Sequence, residues 1–441
     1  MVASLPFKLV NDSSSDNVWA YITGINIADG RRVLLQADGK TLYFPENPPA
    51  IGSPLAEDCA IPLGKPGNTV TATVPQIAGG RVWFSIHNKL NFLLNPGPAL
   101  VEPSVLNPSD PNAKVNFGFC EFTLNDAQLY ANISYVDFVS NAPIAITLEN
   151  SAGAVQHVSG MAENGLEGVC ADMRAQTQKD GKPWDKLIVQ ENGKDFRVLN
   201  PSHGDAVGAN FAGYYEPYVD EVWNYYSTDS RTFTLNTQAG PGVLDGKVSN
   251  NQLLIGQEAF GKPNTADIFG CNSGPFTTGP NPTRNAIIPR LAAGFVRTTL
   301  VSQTQQPSNP STYYQTDPTD HYCRIVHEHN LDKKGYGFAY DDVQPDGGVD
   351  QSGKVNDGSP ALFTIAVGGR HAYAGDAPPA SANKVAEEQA EPAPVAESAP
   401  APAPQENGQQ QPMQESRPSI PQRKSSGLRG KLSGWKKKFL Q

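Results

Sequence analysis

The 441-residue chain predicts a mainly β protein, a β-sandwich or barrel domain interrupted by an inserted α/β domain. Three observations carry this. Proline (38) and glycine (41) approach a fifth of the chain while charged residues reach only 18%, a composition of turns and strands and not of a helical bundle. Short alternating apolar runs separated by turn clusters fill residues 1–150. After Ser151 the apolar period changes to a helical one, and strand-like text returns from His321 to about Gly369.

In chain order, Val18–Ile22, Thr69–Val74 and Arg81–Ile86 predict strands, followed by Phe119–Asn125, Asn132–Asp137 and Ala145–Leu148. Leu166, Val169, Cys170 and Met173 then fall at helical spacing, as do Val219, Val222, Trp223 and Tyr226, and Ile288, Leu291, Ala292 and Phe295. Thr232–Leu235 and Gln252–Ile255 predict strands between these helices. The expected organisation is therefore a β-domain over 1–150 and 320–372, with an α/β domain over 151–319. Strands are also expected at Tyr336–Tyr340 and Leu362–Val367. From residue 373 to 422 the composition falls to Ala, Pro, Glu, Gln and Ser, which predicts a disordered linker. Over 423–441, Leu428, Leu432, Trp435 and Phe439 alternate with Arg429, Lys431, Lys436, Lys437 and Lys438. That pattern predicts a basic amphipathic tail, suited through residues 428–440 to an anionic membrane surface or a protein partner, or else a plain solubilising tail.

The formal charge is −10, and residues 1–422 hold 27 basic against 44 acidic groups. Phosphate repulsion argues against a nucleic-acid partner for this body, whereas a neutral polysaccharide meets no such penalty. The five cysteines (Cys59, Cys120, Cys170, Cys271, Cys323) show no CxxC spacing, so no zinc or redox motif is indicated and at least one thiol is unpaired. The N-terminus lacks a basic start followed by an apolar run, so no secretion signal is expected, and no apolar stretch approaches 18 residues. A monomer without cofactor or metal is expected.

The chemistry concentrates at Phe119–Asn125. Strand alternation places Glu121, Thr123 and Asn125 on one face and Cys120, Phe122 and Leu124 on the other. If the chain turns back after Asn125, Glu121 and Asp137 share one side of a hairpin, with Cβ atoms roughly 5 Å apart if opposed and about 7–8 Å on the diagonal. Glycosidases use two carboxyl groups near that range. The same alternation fits a solvated strand face. His327-Glu328-His329 places two histidines on one face of a predicted strand, with no third ligand nearby, and reads as a hydrogen-bonded structural pair. Asp341–Asp350 departs from the calcium-loop spacing and reads as an acidic turn. The aromatic stretch from Tyr214 to Tyr226 is expected to be half helix core. Asn11-Asp12-Ser13 and Asn132-Ile133-Ser134 are glycosylation sequons that matter only in a secreted chain.

The runs Glu121–Leu124, Ile133–Asp137 and Tyr336–Asp342 resemble those of thaumatin-like proteins. Asn95-Pro96-Gly97-Pro98-Ala99-Leu100 and Asp341–Gly348 resemble one branch of them, the glycoside hydrolase family 64 endo-β-1,3-glucanases, over about residues 5–370. The resemblance implies a thaumatin-like β-domain and an α/β domain flanking a wide groove for β-1,3-glucan. It further implies hydrolysis with inversion, short laminaripentaose-like products, and an extracellular or cell-wall location. Glu121 becomes the general acid and Asp137 the general base, which inversion requires to be about 6.5–9.5 Å apart. Phe119 would desolvate Glu121. Thr123 and Asn125 would hydrogen-bond sugar hydroxyls and Asp341 would complete the acidic wall, while Tyr130 stands where it would either stack on a sugar or pack in the hairpin turn. Asn132 and Ser85 stand where plant thaumatin-like proteins carry an Asp and an Arg, and Lys89 is expected to replace the lost positive charge. The alternative from another class is a β-1,3-glucan-binding protein that no longer cleaves.

Overall fold

The computed structural model describes residues 3–370. The expectations for the linker and the basic tail fall outside the described residues. Strand is the commonest regular structure of the described chain and forms five sheets, in keeping with a mainly β fold.

Two of these sheets share a core. A five-stranded sheet runs in the order Val155–Val158, Ile144–Asn150, Pro360–Val367, Ser4–Asn11, Thr69–Pro75. Facing it is the largest sheet, whose central strands are Leu129–Ile133, Asn116–Leu124, Ile77–Ile86 and Val18–Asn26. Alternation puts Phe7, Leu9, Ala72, Ile146 and Phe363 of the first sheet against Ile22, Val82, Phe84, Phe122 and Ala131 of the second, all fully or almost fully buried. The Phe7 ring meets Phe122 and Phe363 edge-on, with centroids 5.1 and 5.0 Å away. Gly80 makes this contact possible: a Cβ there would lie 2.5 Å from the Phe122 ring.

The large sheet is buried on its other face as well. Tyr21, Trp83, Phe117 and Phe119 form a second apolar cluster with Phe92, Leu94 and Leu100 from the small sheet (Leu93–Asn95, Ala99–Val101, Ser53–Pro54), and with Phe138 and Leu199. Trp83 and Phe119 pack with ring centroids 4.7 Å apart. This cover stops at the row of Arg81 and Glu121, where the same face becomes polar and half-exposed.

The helical period holds after Ser151. Helices span Gly165–Asp180, Glu216–Tyr226 and Pro282–Val296 with the predicted apolar faces inward, and the strands Phe233–Asn236 and Gln252–Ile255 belong to a five-stranded sheet. Two predicted strands are absent. His321–His329 is an α-helix because the Asp320 carboxylate caps it, accepting from the Cys323 N–H at 3.0 Å, and Tyr322, Cys323, Ile325 and Val326 supply a buried helical stripe. Tyr336–Tyr340 is a turn-rich segment with one bridge, Tyr336 to Ser134. All five cysteines are buried free thiols, and both sequon asparagines, Asn11 and Asn132, are buried.

Candidate active site

Strand register builds one transverse row across the polar part of the large sheet: Thr23 pairs with Arg81, Arg81 with Glu121, Glu121 with Asn132, and Asn132 with Lys354. Residues directly paired on adjacent strands project to the same face, so this row sets a guanidinium beside the Glu121 carboxylate. Arg81 Nε and Nη2 both donate to Glu121 Oε1 at 3.1 Å. Arg81 Nη1 donates to Glu102 Oε2 at 2.6 Å, from the residue that follows the Ala99–Val101 strand. The guanidinium carbon lies 4.9 Å from the Phe119 ring centroid and 5.4 Å from that of Trp83, so the aromatic row seats the cation.

Asp137 does not belong to the hairpin. The strand opposite Glu121 ends at Ile133, and the chain leaves the sheet to run beside Tyr336, with Tyr135 N–H donating to the Tyr336 carbonyl at 2.9 Å. Asp137 therefore precedes the next strand, Phe138–Ser140, which pairs with Lys194–Leu199. That pairing brings in the turn after Leu199. Asn200 donates its N–H to the Asp137 carbonyl, and its side chain caps the 3-10 helix Pro201–Val207. His203, on that helix, places Nε2 3.0 Å from Asp137 Oδ1.

The two carboxyl groups are set in opposite directions. Burial pushes Glu121 up, the Arg81 charge opposes it, and the Asp137 and Glu102 charges add to the rise, with a raised pKa as the net result. Burial also acts to raise Asp137, but the His203 hydrogen bond and charge, with Arg81, outweigh it and hold that group below the ordinary carboxylate range. Each carboxylate nevertheless keeps solvent access, with 35% of the Glu121 side chain and 42% of the Asp137 side chain exposed. One group is thus biased to hold a proton and the other to accept one, within each other's electrostatic reach.

The family model described as beta-1,3-glucanase, glycoside hydrolase family 64, matches residues 3–367. The chain belongs to glycoside hydrolase family 64. It is 32% identical over 374 residues to a glucan endo-1,3-beta-glucosidase of Cellulosimicrobium cellulans and 31% identical to one of Arthrobacter sp. (strain YCWD3). In both cases the match takes in 82% of this chain and 65% of the relative, just under two thirds of the relatives' length. Among solved structures, a laminaripentaose-producing beta-1,3-glucanase in complex with laminaritetraose superposes with a TM-score of 0.73 at 31% identity, covering 83% of this chain and 99% of that one. A family 64 domain from Clostridium beijerinckii has the same fold, with a TM-score of 0.64 at 21% identity over 83% and 98% of the two chains.

In this family 64 chain the other expected site residues separate into two groups. Thr123 and Tyr130 are cross-strand partners on the Glu121 face, one step along the hairpin, and Tyr130 Oη lies 3.5 Å from Asp342 Oδ2. Asn125 sits in the turn, where its Oδ1 accepts from the N–H groups of Ala127 and Gln128, both at 2.9 Å. Two expectations are corrected. Lys89 does not supply the positive charge at the acid: its ammonium pairs with the exposed Asp58 at 3.1 Å, and the cation that touches Glu121 is Arg81. Asp341 does not line an acidic wall, because its side chain is 0% exposed. It accepts from Arg297 at 3.0 Å, from His327 at 2.9 Å and from the Gly337 N–H at 2.9 Å, and the Cys323 thiol approaches it at 3.2 Å. Asp342 is the member of that acidic pair that reaches Tyr130.

His327 and His329 are likewise not a mutual pair, since His327 binds Asp341 and His329 lies 2.7 Å from Asp172. Cys323, His327 and Asp341 bring ligand-type atoms within 4.8 Å of one another, but the Arg297 charge on the same carboxylate opposes a cation there. Sequence reasoning missed Arg81, Glu102 and His203. Alternation on Ile77–Ile86 places Arg81 on the Trp83 face and could have found the first. Nothing local marks the other two, which reach the site through tertiary pairing.

Proposed function

We propose that this chain is an endo-β-1,3-glucanase that cleaves β-1,3-glucan with inversion and releases short laminari-oligosaccharides. The observation that carries the reading is the opposed bias of Glu121 and Asp137, both solvent-reached and with the Asp137 charge acting on Glu121, in a family 64 chain. Desolvation together with solvent access is the signature of a recessed position. We take the recess as part of a groove between a thaumatin-like β-domain (1–150 and 320–372) and an α/β domain (151–319).

Glu121 holds a proton and gives it to the glycosidic oxygen as the C1–O bond breaks. Asp137, ionised, takes a proton from a water that attacks C1 on the opposite face of the sugar. The carboxylate left on Glu121 is met by Arg81, already in contact with Oε1. His203 keeps Asp137 in its accepting form. Solvent then returns the proton to Glu121 and removes it from Asp137. Thr123, Asn125 and Tyr130 lie along the same hairpin and are assigned to sugar binding. The acidic body presents no obstacle, because the substrate is uncharged.

The test is hydrolysis of linear β-1,3-glucan by wild type, Glu121→Gln and Asp137→Asn, with product anomers followed by proton NMR. Release of α-anomers by wild type and a loss of about 10²–10⁴-fold in each variant are expected. Glucan binding without cleavage by wild type would establish the binding-protein alternative instead.

A further inference from the structure

The contact between Arg81 and Glu121 is lopsided. A guanidinium facing a carboxylate ordinarily makes two parallel bonds, one to each oxygen. Here Nε and Nη2 converge on Oε1 alone, while Nη1 is drawn off to Glu102 at 2.6 Å. Glu102 is itself held: Thr23 Oγ1 lies 3.4 Å from Glu102 Oε1, and the Trp83 indole N–H donates to Thr23 Oγ1 at 3.1 Å. A chain of contacts thus runs from the buried Trp83 through Thr23, Glu102 and Arg81 to one oxygen of Glu121.

We propose that Glu102 is a positioning residue for the acid, holding the Arg81 fork off-centre so that Oε1 of Glu121 is capped while Oε2 carries the transferable proton. This rests on the assignment of Glu121 as the acid. Without Glu102, Arg81 is released to pair with both oxygens of Glu121, which favours the ionised carboxylate and removes the proton the reaction needs. The groups that act on Glu121 are Arg81 from the neighbouring strand, Glu102 from the small sheet and Asp137 from the segment after the hairpin. The Tyr130 and Tyr336 hydroxyls also lie within its electrostatic reach.

Two readouts test the proposal on the full chain: the alkaline limb of kcat/KM on linear β-1,3-glucan, and the Glu121 carboxyl titration by carbon-13 NMR, assigned by difference from Glu121→Gln. Glu102→Gln is expected to move both to lower pH, and Arg81→Gln to move both to higher pH. In the Arg81→Gln background, the Glu102→Gln shift is expected to shrink to the direct effect of the Glu102 charge, because Glu102 acts mainly through the guanidinium. An undiminished shift there, or activity lost with the limb unmoved, overturns the proposal in favour of direct charge repulsion or a packing role. If Arg81→Gln does not fold, Arg81→Lys takes its place. A point charge lacks the fork that Glu102 turns, so the Glu102→Gln shift is expected to shrink, and an undiminished shift overturns the proposal. If wild type cleaves no glucan, the hydrolase reading fails, while the NMR titration still reports whether Glu102 governs Glu121 through Arg81.

Discussion

His203 and Asp137 meet across 66 positions of chain, with Nε2 3.0 Å from Oδ1. Among the charges near Asp137, this contact does most to hold it ionised against burial. Removing it in His203→Ala raises the Asp137 pKa, so the base becomes protonated at a higher pH. The acidic limb of kcat/KM is expected to move upward, with the alkaline limb unmoved and a smaller loss at the optimum than in Asp137→Asn. A pH–rate profile of the variant checks this.

Asp341 is expected to matter for stability and not for substrate contact. Its side chain and that of Arg297 are 0% and 1% exposed, so Asp341→Asn leaves a buried guanidinium without its counter-charge, at a cost of about 3–5 kcal/mol. Urea denaturation measures it.

The same cluster gives stability a pH window. Burial acts to raise Asp341, but His327 and Arg297 lower it on balance. Its contribution is therefore present above the unfolded carboxylate pKa of about 3.9 and lost as pH falls through the lower folded value. Burial acts to lower His327, but Asp341 raises it on balance. That contribution is complete below the unfolded histidine pKa of about 6.5 and lost as pH rises through the higher folded value. Wild-type urea midpoints should fall on both sides of a weakly acidic plateau, and Asp341→Asn should flatten the profile.

Gly80→Ala forces a methyl group onto the Phe122 ring between the two sheets, an overpacking worth about 1–3 kcal/mol. Because Arg81 follows Gly80 directly, activity is expected to fall with stability. Combining Gly80→Ala with Phe122→Leu should cost less than the sum of the two single changes, as thermal melts of the three variants will show.

The five thiols should be inert in the native state. Burial pushes Cys59, Cys120 and Cys170 each up to about 12, and raises Cys271 and Cys323 as well. Iodoacetamide at neutral pH is expected to modify none of them until denaturant is added, and all five then, by intact mass.

How much of this was legible in the sequence follows from how far apart the cooperating residues lie. The Asn116–Leu124 strand announced itself by alternation, and the Gly165–Asp180, Glu216–Tyr226 and Pro282–Val296 helices by their period, because both signals are local. Glu121 was found for the same reason. The position of Asp137 was not legible, since its strand ends early at Ile133 and the Tyr336 segment draws the chain away. His321–His329 was mistaken for a strand because its cap, Asp320, lies outside the histidine triplet that attracted notice. Asp341 looked like a surface acid because its partners, Arg297 at the end of the Pro282–Val296 helix and His327 within the His321–His329 helix, are brought to it only by folding. Lys89 was given a role that register assigns to Arg81, eight positions earlier.

The strand Pro360–Val367 occupies the middle of its sheet, parallel to Ser4–Asn11 on one side and antiparallel to Ile144–Asn150 on the other. The last strand described is thus the keystone of the first ones. Until residue 367 has left the ribosome, Phe7 and Ile146 lack the neighbour that joins them, and the opening half of the chain waits with two unpaired strand edges. Closing the core therefore waits on the last strand described, and is paced by the closure of a loop more than three hundred residues long.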